Sequence, residues 1–283
     1  MKWNSTTNFS FEFYPPKTAV GEKKLKATAE KLSTLNPEFF SVTSGAGGTV
    51  KCGTDKTINQ IKTCNVAMAP HITCKDITKN DIKIALENYK ANNIKRLVVL
   101  RGDLANSSEF NNASDLLAFI KDNSHDTFHL EVAAYPEAHP ESQNLKDELI
   151  NFKKKVDAGA NSAITQYFFN PDAYYNFLDQ CEKHHITIPI TPGIMPIINF
   201  NKLQEFSKNC GAEIPRWIIK KLEAYGKDDD AIKNAGMEIV FNLCEKLLKQ
   251  GAPGLHFYTL NNAEPSFTIA KLMGAKVENL ALV

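Results

Sequence analysis

The chain has 283 residues, 43% of them hydrophobic and 10% aromatic, which suits a large buried core and excludes a disordered polymer. With 33 Lys and Arg against 32 Asp and Glu it is close to neutral, so neither a nucleic-acid backbone nor an anionic membrane surface is an expected partner. No apolar run reaches the length of a membrane span, the opening "MKWNSTTNFS" lacks the apolar stretch of a secretory signal, and the six cysteines are scattered without a C-x-x-C pair. Reduced thiols in the cytoplasm are the expectation, with no structural zinc.

In chain order, the first strand expected is "FSFEFY" (9–14). The helical stretch "EKKLKATAEKLSTL" follows, with apolar residues at 25, 29, 32 and 35. Strands are expected next at "FFSVTS" (39–44) and "MAPHIT" (68–73), then a helix with Ile82, Leu86 and Tyr89 on one face. "RLVVLRG" (96–102), "HLEVAAY" (129–135), "SAITQYFF" (162–169) and "IPITPGI" (188–194) continue the strand series. Two extra helical stretches lie around 200–225. A long amphipathic helix, "AIKNAGMEIVFNLCEKLLKQG", is stopped by Gly251, and "GLHFYTL" (254–260) is the last strand.

Eight strands alternating with helices predict an α/β fold, a (β/α)8 TIM barrel with extra helices between strands seven and eight, as one domain over 1–283. The rival is an open doubly wound sheet. That fold normally carries a Gly-rich turn after its first strand, where this chain reads "YPPKT".

In a barrel, alternation along the first strand turns Phe9, Phe11 and Phe13 toward the helices and Ser10, Glu12 and Tyr14 toward the axis. Glu12 then lies near the C-terminal end of its strand, where barrel active sites are built. The same end of the other strands is polar: Thr43 and Ser44, His71 and Thr73, Arg101-Gly102-Asp103, Tyr135, Glu137 and His139, Gln166, and Tyr258, Asn261 and Asn262. Taken singly, each has a plain structural use. Glu12 could face water, His71 could be a bonded core histidine, and Lys153-Lys154-Lys155 could be a solvated helix face. Their convergence on one mouth is the stronger signal. No lysine stands at a strand end for a Schiff base, and no H-x-H, H-E-x-x-H or G-x-S-x-G motif is present. One carboxylic acid among hydrogen-bonding groups and aromatics suits protonation of a flat heterocycle, or hydride transfer by a bound cofactor.

"SFEFYPPKT", "FFSVTSGAGG", "APHITC", "LVVLRGD", "VAAYPEAHPES", "KVDAGANSAITQYFF", "TPGIMPIINF" and "HFYTLNNAE" resemble, in order and over almost the whole chain, the bacterial 5,10-methylenetetrahydrofolate reductases. The resemblance implies a flavin-bearing barrel with FAD across the strand ends and no Rossmann motif. It implies a ping-pong reaction: NADH or NADPH reduces the flavin, and 5,10-methylenetetrahydrofolate is then reduced to 5-methyltetrahydrofolate, a methyl source for methionine synthesis. Carried over, Glu12 is the general acid that opens the folate ring, in a setting where aromatic neighbours can raise a carboxyl pKa. Asp103 stands by flavin and pterin.

FAD contacts implied by the resemblance are Ser44, Ala46, His71, Leu100, Arg101, Gly102, Asp103, Ala113, Tyr135, His139, Ser142, Glu148, Asn151, Lys154 and Lys155, with the two lysines at the diphosphate. Thr43 and Gln166 would touch nicotinamide and pterin in turn, and Phe206 would stack on whichever is bound. The chain departs from the pattern at Ser44, Glu148, Lys154 and Lys202. It also has Asn262 where an arginine usually holds the acidic folate tail, a charge that Lys202 could supply instead. Self-association is implied too, and control by S-adenosylmethionine is not expected. Two alternatives stay open: another flavin barrel of the proline-dehydrogenase kind, and a non-catalytic folate-binding barrel.

Overall fold

The computed structural model describes residues 7–44, 52–102 and 109–277. The elements are β1 (Asn8–Phe13), α1 (Ala19–Ser33), β2 (Phe39–Val42), α2 (Cys52–Ile61), β3 (Met68–Thr73), α3 (Lys79–Ala91), β4 (Arg96–Leu100) and α4 (Ala113–Ser124). They continue with β5 (His129–Ala134), α5 (Leu145–Asp157), β6 (Ser162–Thr165), α6 (Pro171–Lys183), β7 (Ile190–Thr191) and β8 (Gly193–Ile194). The chain then forms α7 (Phe200–Cys210), α8 (Arg216–Glu223), α9 (Asp229–Lys249), β9 (Gly254–Tyr258) and α10 (Ala263–Leu272).

Helix starts are chemically marked. Thr18, Thr78, Asn112, Asn144, Asn170, Asn199 and Asn262 each accept a hydrogen bond from a first-turn amide, and Asp81 completes a capping box with Thr78. The long helix α9 ends at Lys249, and Gly251 takes a positive φ of 93° just beyond it.

All strand pairs are parallel, in the order β7-β6-β5-β4-β3-β2-β1-β9-β8. The expected seventh strand is in two pieces. Pro192 has no N–H to give to a ladder, so the strand breaks there. Ile190–Thr191 pairs with β6, Gly193–Ile194 pairs with β9, and the Pro192 carbonyl accepts the His256 amide at 3.0 Å. The barrel closes through this split strand. Closure leaves no room at Gly193: a Cβ there would stand 2.2 Å from the Thr165 carbonyl oxygen and 2.7 Å from the Tyr258 hydroxyl. The extra helices expected between strands seven and eight are α7 and α8. The second, fourth, fifth, sixth and last of the expected strands end earlier than the sequence suggests, at Val42, Leu100, Ala134, Thr165 and Tyr258.

Phe9, Phe11 and Phe13 are buried under the helical layer, with Phe11 stacked on Phe257 at 5.7 Å and Phe13 edge-on to Phe40 at 4.9 Å. The lumen holds a smaller apolar cluster, Phe39, Ala69, Val98 and Ile164. Its N-terminal end is plugged by ions. Arg96 pairs with Glu131 and Glu38 and lies over the Phe39 ring at 4.5 Å, while His129 reaches Ser162 at 2.5 Å. Among the described residues no helix is long and apolar enough to cross a membrane.

Candidate active site

The C-terminal end of the lumen is built differently. Register places Glu12 beside Ser41 on β2 and Tyr258 on β9. Its carboxyl points inward, 20% exposed, with Oε2 at 3.4 Å from His71 Nε2 and 3.8 Å from His256 Nε2. His256 is fully buried and fixed through Nδ1 to the Ser10 hydroxyl at 2.7 Å. Burial drives the His71 pKa down to about 4, with the Glu12 charge opposing and His256 reinforcing, so His71 is neutral at physiological pH. Four buried polar atoms near this carboxyl have no hydrogen-bond partner among the described residues: Ser41 Oγ, Thr43 Oγ1, His71 Nε2 and His256 Nε2. Orphans in such a ring are costly unless a ligand or water meets them.

Next to this mouth, on the β4–β6 side, lies a cleft of about 760 Å³. Leu100, Arg101 and Gly102 leave β4 along one wall, Ala113 begins α4, and Tyr135 leads into the 139–142 loop. Helix α5 turns Glu148, Asn151, Lys154 and Lys155 into it, and Gln166, Met195 and Phe206 close the side toward the barrel axis.

The loop is held by Glu148, whose Oε2 accepts from the His139 amide at 3.3 Å and the Ser142 hydroxyl at 2.7 Å. His139 meets the Tyr135 ring edge-on at 4.8 Å. Lys155 donates to the Ala133 carbonyl at 2.6 Å and lies 5.6 Å from both the Tyr135 and Phe152 rings. Burial lowers its pKa to about 8, against the pull of Glu148. Arg101 is clamped by both carboxylate oxygens of Glu141, at 2.6 and 2.8 Å.

The fold thus brings together eleven of the expected cofactor contacts in one cleft, Leu100, Arg101, Gly102, Ala113, Tyr135, His139, Ser142, Glu148, Asn151, Lys154 and Lys155, with Gln166 and Phe206 beside them. Thr43 and His71 sit with Glu12 in the mouth, and Ser44 is half-buried next to Thr43. Ala46 and Asp103 lie outside the described residues. Two expected contacts are not gathered in. Lys202 is exposed on α7, one turn before Phe206. Asn262 spends its side chain as the cap of α10, accepting from the Glu264 amide at 3.4 Å. Asn261 likewise braces the end of β1, bonding the Tyr14 amide and carbonyl.

Sequence reasoning missed His256. Alternation along "GLHFY" puts it on the face of Tyr258, but only the β1–β9 register shows that this face adjoins Glu12.

A family model described as methylenetetrahydrofolate reductase matches residues 1–274. The 5,10-methylenetetrahydrofolate reductase of Buchnera aphidicola subsp. Schizaphis graminum is 41% identical over 96% of this chain and 93% of its own length. That of Escherichia coli K12 is 39% identical over 95% and 91%. Among solved structures, a Clostridium thermocellum protein described as binding two copies of 5-methyl-5,6,7,8-tetrahydrofolic acid shares the fold, with a TM-score of 0.68, 18% identity and coverage of 96% of this chain and 95% of that one. On the length and identity of these matches, the chain belongs to the methylenetetrahydrofolate reductase family of oxidoreductases.

Proposed function

We propose that the chain reduces 5,10-methylenetetrahydrofolate to 5-methyltetrahydrofolate with FAD held in the β4–α5 cleft, and that NADH or NADPH and the folate use the barrel mouth in turn. The supporting observation is one arrangement: a roomy cleft lined by two lysines, beside an inward carboxyl near four polar atoms that have no partner among the described residues. Such a cleft fits a long anionic cofactor with a flat head group, and the orphaned atoms fit a polar heterocycle. Bound there, FAD supplies a two-electron carrier between nicotinamide and folate.

The chain's own residues do the rest. Lys154 and Lys155 bring positive charge to a diphosphate, and the Glu148-held loop shapes the wall around it. Glu12 is the proton donor to the folate nitrogen that departs as the five-membered ring opens to an iminium. His71, neutral through burial, approaches Glu12 without forming an ion pair at neutral pH. Asp103, carried over from the family pattern, supplies negative charge toward that cation. Gln166, Thr43 and Phe206 hold the planar rings, excluding water from the reacting face.

A visible spectrum of the purified protein tests the cofactor: flavin bands are expected. Anaerobic addition of methylenetetrahydrofolate to the reduced protein tests the substrate: bleached flavin should regain its colour. A colourless protein that takes up no added FAD overturns the first expectation, and reduced flavin left unchanged by folate overturns the second.

A further inference from the structure

Helix α7 carries one wall of the site. Its Leu203 and Ser207 are buried, while Phe206, Asn209 and Cys210 line the cleft. Three contacts seat its C-terminal end on the loop and strand ends below. The Glu213 amide donates to Glu137 Oε2 at 2.8 Å. The Tyr167 hydroxyl and Ser207 Oγ lie 3.0 Å apart. Gly211, at φ +78°, packs so closely that a Cβ would stand 2.8 Å from Pro140 Cγ. Glu137 belongs to the loop after β5, and no element of regular structure joins that loop to the turn after α7.

We infer that Glu137 is a positioning residue: accepting the Glu213 amide, its carboxyl latches the end of α7 over the mouth, sets where Phe206 stands, and makes that setting depend on protonation. The consequence for folate rests on the function proposed above; the latch itself does not.

The surroundings of Glu137 give the dependence its sign. Tyr135, Tyr167 and Cys210 line the same small cavity, and the Glu213 side chain is next to the bond. None of these is a cation. His139, two residues on, turns instead to the Tyr135 ring and the Glu141 amide. Burial pushes the Glu137 pKa up, the Glu213 amide pulls it down and the Glu213 carboxylate pushes it up again, to about 7. A carboxyl released to water returns to the ordinary value of 4.5. Latching therefore takes up a proton. It is strongest below the released value, weakens as pH rises through about 7, and is level above that.

The test is amide hydrogen exchange on the unliganded full chain at pH 5.5 and 8, expressed as protection factors, in the parent, Glu137→Gln and Glu137→Ala. Parent protection across 206–213 should fall about tenfold between the two pH values. Glu137→Gln, neutral throughout, should keep the low-pH value at both; Glu137→Ala should lose protection at both, with α1 unchanged in all three. The folate KM should rise with pH in the parent over the same window and stay flat in Glu137→Gln, with kcat within about twofold. Equal protection at 211–213 in parent and Glu137→Ala overturns the latch. A Glu137→Gln profile that follows the parent overturns its proton dependence. Altered exchange with an unmoved folate KM overturns the positioning role. A parent that turns over no folate sinks the proposed function instead, and the exchange result still decides the latch.

Discussion

The two ends of the barrel lumen each hold an inward carboxylate, and they treat it in opposite ways. At the N-terminal end Glu131, 3% exposed, is met by Arg96 and by His129, with Arg96 also tied to Glu38. Burial pushes its pKa up, but bonds from His129 and Ser162 and the Arg96 charge outweigh this and hold it below the usual carboxylate value. At the C-terminal end Glu12 approaches His71, neutral through burial, and His256, and four buried polar atoms near it have no partner among the described residues. A plug that satisfies every charge serves stability. A mouth that leaves its groups unsatisfied is less stable alone and is completed by what it binds.

That contrast is broken most sharply by exchanging what each carboxylate can do. Glu12→Gln keeps shape and removes the proton, so kcat for folate reduction should fall about 10²–10⁴-fold. The melting temperature should hardly move, and oxidation of the nicotinamide in the absence of folate should be much less affected. Comparable losses in both half-reactions would mean that Glu12 serves ligand placement, not proton transfer.

At the other end the expected effect is on stability. Arg96→Ala strands Glu131 inside the plug and should cost about 3–5 kcal/mol, read from urea or thermal unfolding. Activity per folded molecule should be nearly preserved. Replacing Arg96 and Glu131 together by Met and Leu should recover most of the loss, because two apolar groups leave no buried charge behind. The sign with pH follows from the depressed Glu131 value. Its contribution is present above the ordinary carboxylate value of 4.5 and is lost as pH falls through the lower folded value, so the parent and Arg96→Ala curves should converge in acid. A smaller effect belongs to the seam between the ends. Gly193→Ala drives a methyl into the Thr165 carbonyl and the Tyr258 hydroxyl, and should destabilise by about 1–3 kcal/mol without changing the pH dependence.

The strand series was legible because alternation and apolar runs are local, and so was the inward face of Glu12, since Phe9, Phe11 and Phe13 mark the other one. The break at Pro192 was missed, since 188–194 was read as one strand, although its cause is local: a residue with no amide to give. The plug and His256 were not legible. Arg96 meets Glu131 across 35 positions and Ser10 meets His256 across 246, and only barrel closure sets those registers. Glu137 stood out as a polar residue at a strand end, but its partner is a backbone amide 76 positions away, which carries no side-chain signature. The expected cofactor contacts rest on motif resemblance, and the cleft gathers those on β4, α4, the 139–142 loop and α5 because the βα loops of adjacent strands all open at one end.

The smallest effect concerns the folate tail, where the family pattern and this chain part. Asn262 is neutral and already bonded to the Glu264 amide, and Glu264 itself pairs with Lys31 on α1. A carboxylate arriving there meets a helix cap, not a cation. Lys202 lies on α7 one turn before Phe206, exposed, so its ammonium can swing toward a tail leaving the mouth past that ring. An exposed, flexible ammonium pairs weakly, worth about 0.2–1 kcal/mol, so Lys202→Ala should raise the folate KM only about two- to fivefold. The nicotinamide KM should not follow, because that ligand brings no glutamate tail. Raised salt should shrink the difference between parent and variant, since an exposed pair is screened. A folate KM unchanged at low salt would discard Lys202. With Asn262 committed to α10, the tail would then extend into solvent and the pterin and mouth contacts alone would carry the affinity.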